Sequence, residues 1–360
     1  MSDNPYRDLP PQAFWRSGVA ERGVFGYDAL WSSAWQLPAD ARFATFGSCF
    51  AQHISRALVA RDLNWVNGEP APGRTPRALA KRYNFGVFSA RTGNIYTAAQ
   101  LLQWVRLATG DLDVEAMEVW EDDHGLFHDT LRPKIEPQGF ESLAEARASL
   151  IQTAAAFRTS FTEAEVFVFT LGLTEAWEDS GTGQVWPLCP GTGVGTFDPD
   201  RHVFRNYAYP RILADLEAAI DMMRAVNPSL RVLLTVSPVP LVATASGGHV
   251  LPATIYSKSV LRAVAGDLAA SRAEVDYFPS FEIISAPPTR AAFFAPNLRD
   301  VVPEGVAVVM KHFFAGLDLS GDPIGETERD TKARIAHSNA DMAAEDLVCE
   351  ELTLEAFNDA

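Results

Sequence analysis

The residues best suited to chemistry in this chain stand side by side at positions 48 and 49. Phe46-Gly47-Ser48-Cys49-Phe50-Ala51 sets a hydroxyl and a thiol straight after a short apolar run, residues 42–47. A stretch with apolar residues at helical spacing (Ile54, Leu58, Val59) follows. The pattern predicts a strand, a sharp turn at the glycine and a helix. In an open parallel sheet, ligands bind at the carboxyl ends of the strands. A nucleophile there meets the first N–H groups of the next helix, which favour negative charge and so a thiolate or an oxyanion. The same turn has a structural reading, which spacing alone favours: Ser48 caps the helix and Cys49 is a small buried apolar group.

A proton carrier is needed beside such a nucleophile. His53 lies four residues after Cys49, on the same helix face. His249 sits in the Gly-rich loop after the third strand, again at a carboxyl end. For each, a structural role is the default. His202 lies in a long loop, and His124, His128, His312 and His337 rank lower. Glu175 follows the turn at Gly172 and is placed to orient a base or bind a sugar hydroxyl, although an acid beside a helix start is the commoner explanation. Tyr256 and Lys258 open a helix, where a lysine suits an anionic or acyl-oxygen contact, with a solvated lysine as the default. The glycine-rich run at 191–195 lacks a Lys-Ser/Thr ending and has no strand before it, so no nucleotide is expected. Trp177, Trp186, Phe197 and Phe204 suit stacking on sugar rings, with packing of the loop on itself the simpler role. Cys49, Cys189 and Cys349 make neither a disulfide framework nor a zinc knuckle. No metal or organic cofactor is implied.

These residues need a scaffold, and the hydropathy pattern supplies one. Strands at 165–172, 230–240 and 275–280 alternate with helices at 97–109, 142–161, 209–228, 257–272 and 303–317. Strands rich in Val, Phe and Leu between helices predict a parallel sheet covered on both faces, an α/β class. Residues 1–40 read as an extended arm anchored by Phe14, Trp15, Trp31 and Trp35. Residues 41–318 read as one domain with long insert loops at about 110–140 and 177–207, the kind that serve as functional lids. Residues 319–360 read as an acidic tail. From Asp341 to Ala360 it carries seven acids and no base. Its apolar positions Leu347, Val348, Leu352, Leu354 and Phe357 keep only imperfect helical spacing, so a solvated tail is the simpler expectation.

Composition narrows the function. With 360 residues, 47% hydrophobic and 21% charged, a sizeable core forms and general disorder is excluded. A formal charge of −16 repels nucleic acid and anionic membrane surfaces. The start has no basic region followed by an apolar stretch, and no apolar run approaches the roughly 20 residues of a membrane span. A soluble, cytoplasmic protein with a small-molecule partner is expected; the oligomeric state is not legible.

Several ordered motifs together carry a resemblance. Gly47-Ser48-Cys49-Phe50-Ala51, NFG at 84–86, TLGLTEAW at 170–177, TVSPVPL at 235–241, YSKSVLR at 256–262 and VDYFPSFEI at 275–283 resemble the GSCFA domain family. That family is similar to the SGNH/GDSL hydrolases, esterases and O-acyltransferases on a three-layer α/β/α fold with a doubly wound, mainly parallel sheet. The resemblance spans roughly residues 40–318. It implies that Gly47-Ser48-Cys49 matches the first hydrolase block, usually Gly-Asp-Ser, so that aligning the glycines puts the nucleophile on Cys49, with Ser48 the second candidate. Asn84-Phe85-Gly86 matches the second block, where the Gly86 N–H helps to form an oxyanion hole. Gly172-Leu173-Thr174 matches the third, normally Gly-x-Asn, so Gly172 and Thr174 complete the hole, with a hydroxyl in place of an amide. The hydrolases carry Asp-x-x-His before their last helix, and the matching stretch here is Asn297-Leu298-Arg299-Asp300. A carboxylate with its usual pKa near about 4 is a feeble base at neutral pH unless burial raises it.

The expectation is therefore an acyl-ester hydrolase or O-acyltransferase acting on an acylated carbohydrate or similar small polar substrate. A covalent acyl-enzyme forms at Cys49 or Ser48, with His53, His249 or Asp300 moving the proton and Asn84, Glu175, Tyr256 and Lys258 contacting substrate. The alternative is a non-catalytic binding or assembly protein that kept the fold and lost the Asp-x-x-His block.

Overall fold

Apolar runs without alternation form the central sheet, because strands covered on both faces have no polar side to show. The computed structural model describes residues 4–23, 25–319 and 350–358. The first half runs β1 (Phe43–Gly47), α1 (Ala51–Ala60), α2 (Arg77–Arg82), α3 (Ala98–Thr109), β2 (Val119–Glu121), β3 (Phe127–Asp129) and α4 (Leu143–Glu163). Next come β4 (Val166–Leu171), β5 (Glu175–Asp179), β6 (Val185–Trp186), β7 (His202–Asn206), α5 (Tyr209–Val226) and β8 (Arg231–Val236). The chain closes with α6 (Val250–Ser271), β9 (Val275–Phe278), α7 (Ser280–Ser285) and α8 (Pro303–Gly316). Every residue of β1 and β4 is buried.

The sheet is parallel, in the order β1-β4-β8-β9. Trp65 adds a single parallel bridge on the far side of β1, at Phe43. Ligand crevices of open parallel sheets lie at the carboxyl ends of the strands, and Gly47-Ser48-Cys49 stands at the carboxyl end of β1. Helices cover both faces. α3, α4, α5 and α6 pack over Phe46, Phe167, Phe169 and Leu234. α1, α7 and α8 pack over Phe43, Val168 and Leu233.

The expected strands and helices at 97–109, 142–161, 209–228 and 303–317 are present within a few residues. The helix expected from 257 starts at Val250 instead. Its cap is the ring of His249, whose Nδ1 accepts from the Leu251 N–H at 3.1 Å, a device no apolar period announces. Pro252 then falls in the first turn, where a missing N–H costs little. Lys258 is therefore well inside the helix rather than at its opening. The insert at 110–140 holds the β2–β3 hairpin, and that at 177–207 holds an antiparallel sheet in the order β6-β5-β7. The rings of this insert pack on one another: Trp177 lies edge-on to Phe197 and Phe204, and Trp186 to His202.

Of the arm's anchors, Trp31 and Trp35 pack against the α8 side of the core, while Phe14 and Trp15 are exposed. The expected solvated tail is corrected by its described part. Residues Glu350–Phe357 form a 3₁₀ segment whose Glu350 and Glu351 are buried. Leu347 and Val348 lie outside the described residues. Among the described residues no helix is long and apolar enough to cross a membrane.

Gly47 pairs with Thr170 across the sheet at φ +130°, and a Cβ there would come within 2.3 Å of the Thr170 carbonyl oxygen. Only glycine fits. Gly47→Ala is expected to cost at least about 1–3 kcal/mol from backbone strain alone, read from urea unfolding curves; an unchanged midpoint would refute this.

Candidate active site

The turn after Gly47 does not use Ser48 as a helix cap. α1 starts without any side-chain cap, and Ser48 Oγ is buried with no hydrogen-bond partner among the described residues. An orphaned buried hydroxyl carries a desolvation cost that a structural serine normally avoids. The Ser48 N–H is engaged, donating to the Thr170 carbonyl at 3.0 Å. Ser48 and Cys49 both line one small cavity, together with Tyr96, Gly172, Lys258 and Glu351. The cavity has room for little more than a water molecule.

Lys258 is the main surprise. Its side chain is buried, and Nζ donates to the Gly172 carbonyl at 2.6 Å. Burial lowers its pKa to about 8, against the opposing pull of Glu351 and Cys49, while Arg299 lowers it further. An amine poised near neutral pH is a workable general base. The helical spacing that put Lys258 among possible substrate contacts carried no sign of its burial. By contrast, burial pushes the Cys189 thiol up to about 11.

The other expected site residues are placed elsewhere. None of His53, His249 and Asp300 is among the described residues lining the cavity, and no histidine is. The His53 ring lies edge-on to Phe50, and His249 caps α6 on the exposed surface. Asp300 is half-exposed and accepts from Asn297 Nδ2 at 2.6 Å, so the last-block turn closes on itself. That turn sends Arg299 inward instead, 3.6 Å from Glu351. Gly172 lines the cavity and its carbonyl accepts from Lys258, but its N–H donates to the Tyr96 carbonyl at 3.0 Å and is no oxyanion donor. The Thr174 hydroxyl donates to Asn206 Oδ1 at 2.7 Å, outside the lining. Gly86 is exposed and also outside it. Asn84 is buried away from the cavity, and Tyr256 is exposed on α6. Glu175 accepts from the Thr244 hydroxyl and is raised in pKa by burial, which ties down the loop after β8.

The sequence reading missed the buried residues 93–96, of which Tyr96 lines the cavity. They are held from behind by buried ions. Glu69 accepts from the Arg91 N–H at 3.0 Å and from Thr153 Oγ1. Arg132 donates to Thr153 Oγ1, to the Arg91 carbonyl and to Asp129. Phe85 of the Asn-Phe-Gly stretch lies under the Arg91 guanidinium at 4.1 Å. That stretch therefore braces Arg91 and lies outside the cavity lining.

A GSCFA family model matches residues 42–313. The chain belongs to the GSCFA family. No curated protein and no solved structure matches the chain. In this GSCFA chain Ser48 and Cys49 line the same small cavity as the buried amine.

Two outcomes check this geometry. Arg132→Met strips Asp129 of its buried partner and is expected to cost about 3–5 kcal/mol, read by chemical denaturation; a loss below about 1 kcal/mol would refute it. For Lys258, the unfolded chain holds its proton up to 10.5 and the folded chain only to about 8. The burial penalty is complete below pH 8 and is relieved between about 8 and 10.5, where the unfolded state binds more protons. Wild-type stability relative to Lys258→Met is thus expected to rise by about 3 kcal/mol as pH goes from 8 to 10.5. A pH-independent difference would contradict the buried amine.

Proposed function

We propose that this protein is an acyl-ester hydrolase or O-acyltransferase of SGNH-like type, acting in the cytoplasm on an acylated carbohydrate or a similar small polar substrate. The observation that carries the reading is one cavity holding two nucleophiles, Ser48 and Cys49, beside Lys258, an amine lowered to about 8.

In this reading neutral Lys258 takes over the task of the missing histidine. It accepts the proton from Cys49 Sγ, or from Ser48 Oγ, as that atom attacks the acyl carbonyl. Lys258, now an ammonium, returns the proton to the departing alkoxide as the acyl-enzyme forms. Water or a second hydroxyl, deprotonated by Lys258, then attacks the acyl carbon; the bond to Cys49 Sγ or Ser48 Oγ breaks, the acid or new ester leaves, and Lys258 returns its proton to the freed nucleophile. The Ala51, Gln52 and His53 N–H groups already donate to the Ser48, Cys49 and Phe50 carbonyls, so the start of α1 favours the developing negative oxygen through the positive end of the helix dipole. The alternative, a binding protein without turnover, draws on the lack of a histidine among the described lining residues.

Ser48→Ala and Cys49→Ala, assayed separately on p-nitrophenyl acetate and acylated sugars, identify the nucleophile. One of them is expected to abolish turnover, and full activity in both ends the proposal. Lys258→Met is expected to lower kcat by about 10²–10⁴. Lys258→Arg gives no rescue, because a guanidinium keeps its proton.

A further inference from the structure

The last described segment buries its charges more deeply than its apolar side chains, of which Leu352 and Leu354 are only half-buried. Phe357 is 65% exposed, whereas Glu350 and Glu351 are 2% and 7% exposed. Burying a carboxylate costs several kcal/mol unless it is fully matched. Here it is matched. One oxygen of Glu350 accepts from Asn94 Nδ2 at 2.5 Å and from the Tyr96 hydroxyl at 2.9 Å. The other lies against Gly93, at φ +64°, where a Cβ would come within 3.1 Å of it. Glu351 faces Arg299 at 3.6 Å, and its charge raises the pKa of Lys258. A chain of net charge −16 thus brings two neutral donors, Asn94 and Tyr96, to Glu350 and two cations, Arg299 and Lys258, to Glu351, with Tyr96, Lys258 and Glu351 lining one small cleft.

We infer that this cleft is an anion subsite for a ligand bearing a free carboxylate, and that Glu350–Glu351 is its internal occupant, closing the site until such a ligand displaces it. The inference rests on reading the cavity as the functional site and deepens it. The substrate class becomes an ester whose acid or alcohol part carries a carboxylate, with Asn94, Tyr96 and Arg299 as the residues that recognise it. The covering segment is a substrate mimic, held by the same donors.

Two measurements test it. In the unmodified full chain, a glutamate-specific protease is expected to cut after Glu350, Glu351 or Glu355 several-fold faster in millimolar succinate than in sodium chloride of equal ionic strength. In the full-length Glu350→Gln/Glu351→Gln variant, alkylation of Cys49 by iodoacetamide, mapped by mass spectrometry, is expected to rise at least about tenfold, since the neutral amides lose the charge-assisted contacts. Should the variant fold poorly, the protease experiment on the unmodified chain decides. Cutting that succinate does not change overturns the inference, as does Cys49 labelling that stays at the parent rate in a folded variant. Displacement by succinate without any ester turnover sinks the acyl chemistry and leaves the anion subsite standing. Ester turnover that neither succinate nor the double variant alters sinks the subsite alone.

Discussion

A buried ammonium governs the arrangement around it. Moving such an ion out of water costs several kcal/mol even after relaxation, so Lys258 can stay only where oxygens meet it. The Gly172 carbonyl does so at 2.6 Å. With its carbonyl given to the lysine, Gly172 directs its N–H the other way, into the Tyr96 carbonyl that also accepts from Leu173. The loop after β4 is thereby tied to residues 93–96. The negative charge of Glu351 comes from the far end of the chain. One charge on α6 thus links three segments that are remote in sequence.

The second support is the ionic cluster behind those residues. Glu69, Arg91, Asp129 and Arg132 are each less than 8% exposed, and each has hydrogen-bonded partners. A cluster of this kind gives little net stability compared with an apolar replacement. It does hold a direction. The Arg91 backbone is gripped at both its N–H and its carbonyl, by Glu69 and Arg132 respectively. The side chains of Asn94 and Tyr96, a few residues on, meet Glu350 from this braced stretch, and Tyr96 also lines the cleft. Loops that carry function commonly need such a frame.

Legibility in the sequence divides along physical lines. The strand, glycine and helix at 43–60 were readable because burial on both faces and a helical period leave local traces. The glycine at 47 was readable as a turn, and the structure adds that no Cβ fits against Thr170. The histidines misled, since a ring at a strand's carboxyl end looks the same whether it caps a helix, as His249 does, or moves a proton. Gly86 and Thr174 were placed by block position, which carries no information about where an N–H or hydroxyl is already committed. Lys258 was taken as a helix-opening residue because its helix starts earlier than the period shows.

The amino-acid sequence on its own determined the alternation of strands and helices, the turn that presents Ser48 and Cys49, and the family. These follow from short-range rules: side-chain period, turn chemistry, and ordered motifs. Tertiary structure alone decided which charges meet. The contact of Asn94 with Glu350 joins residues 256 positions apart, and no local period encodes it. A depressed lysine and a buried pair of glutamates exist only once packing removes water and leaves each charge to find its partner.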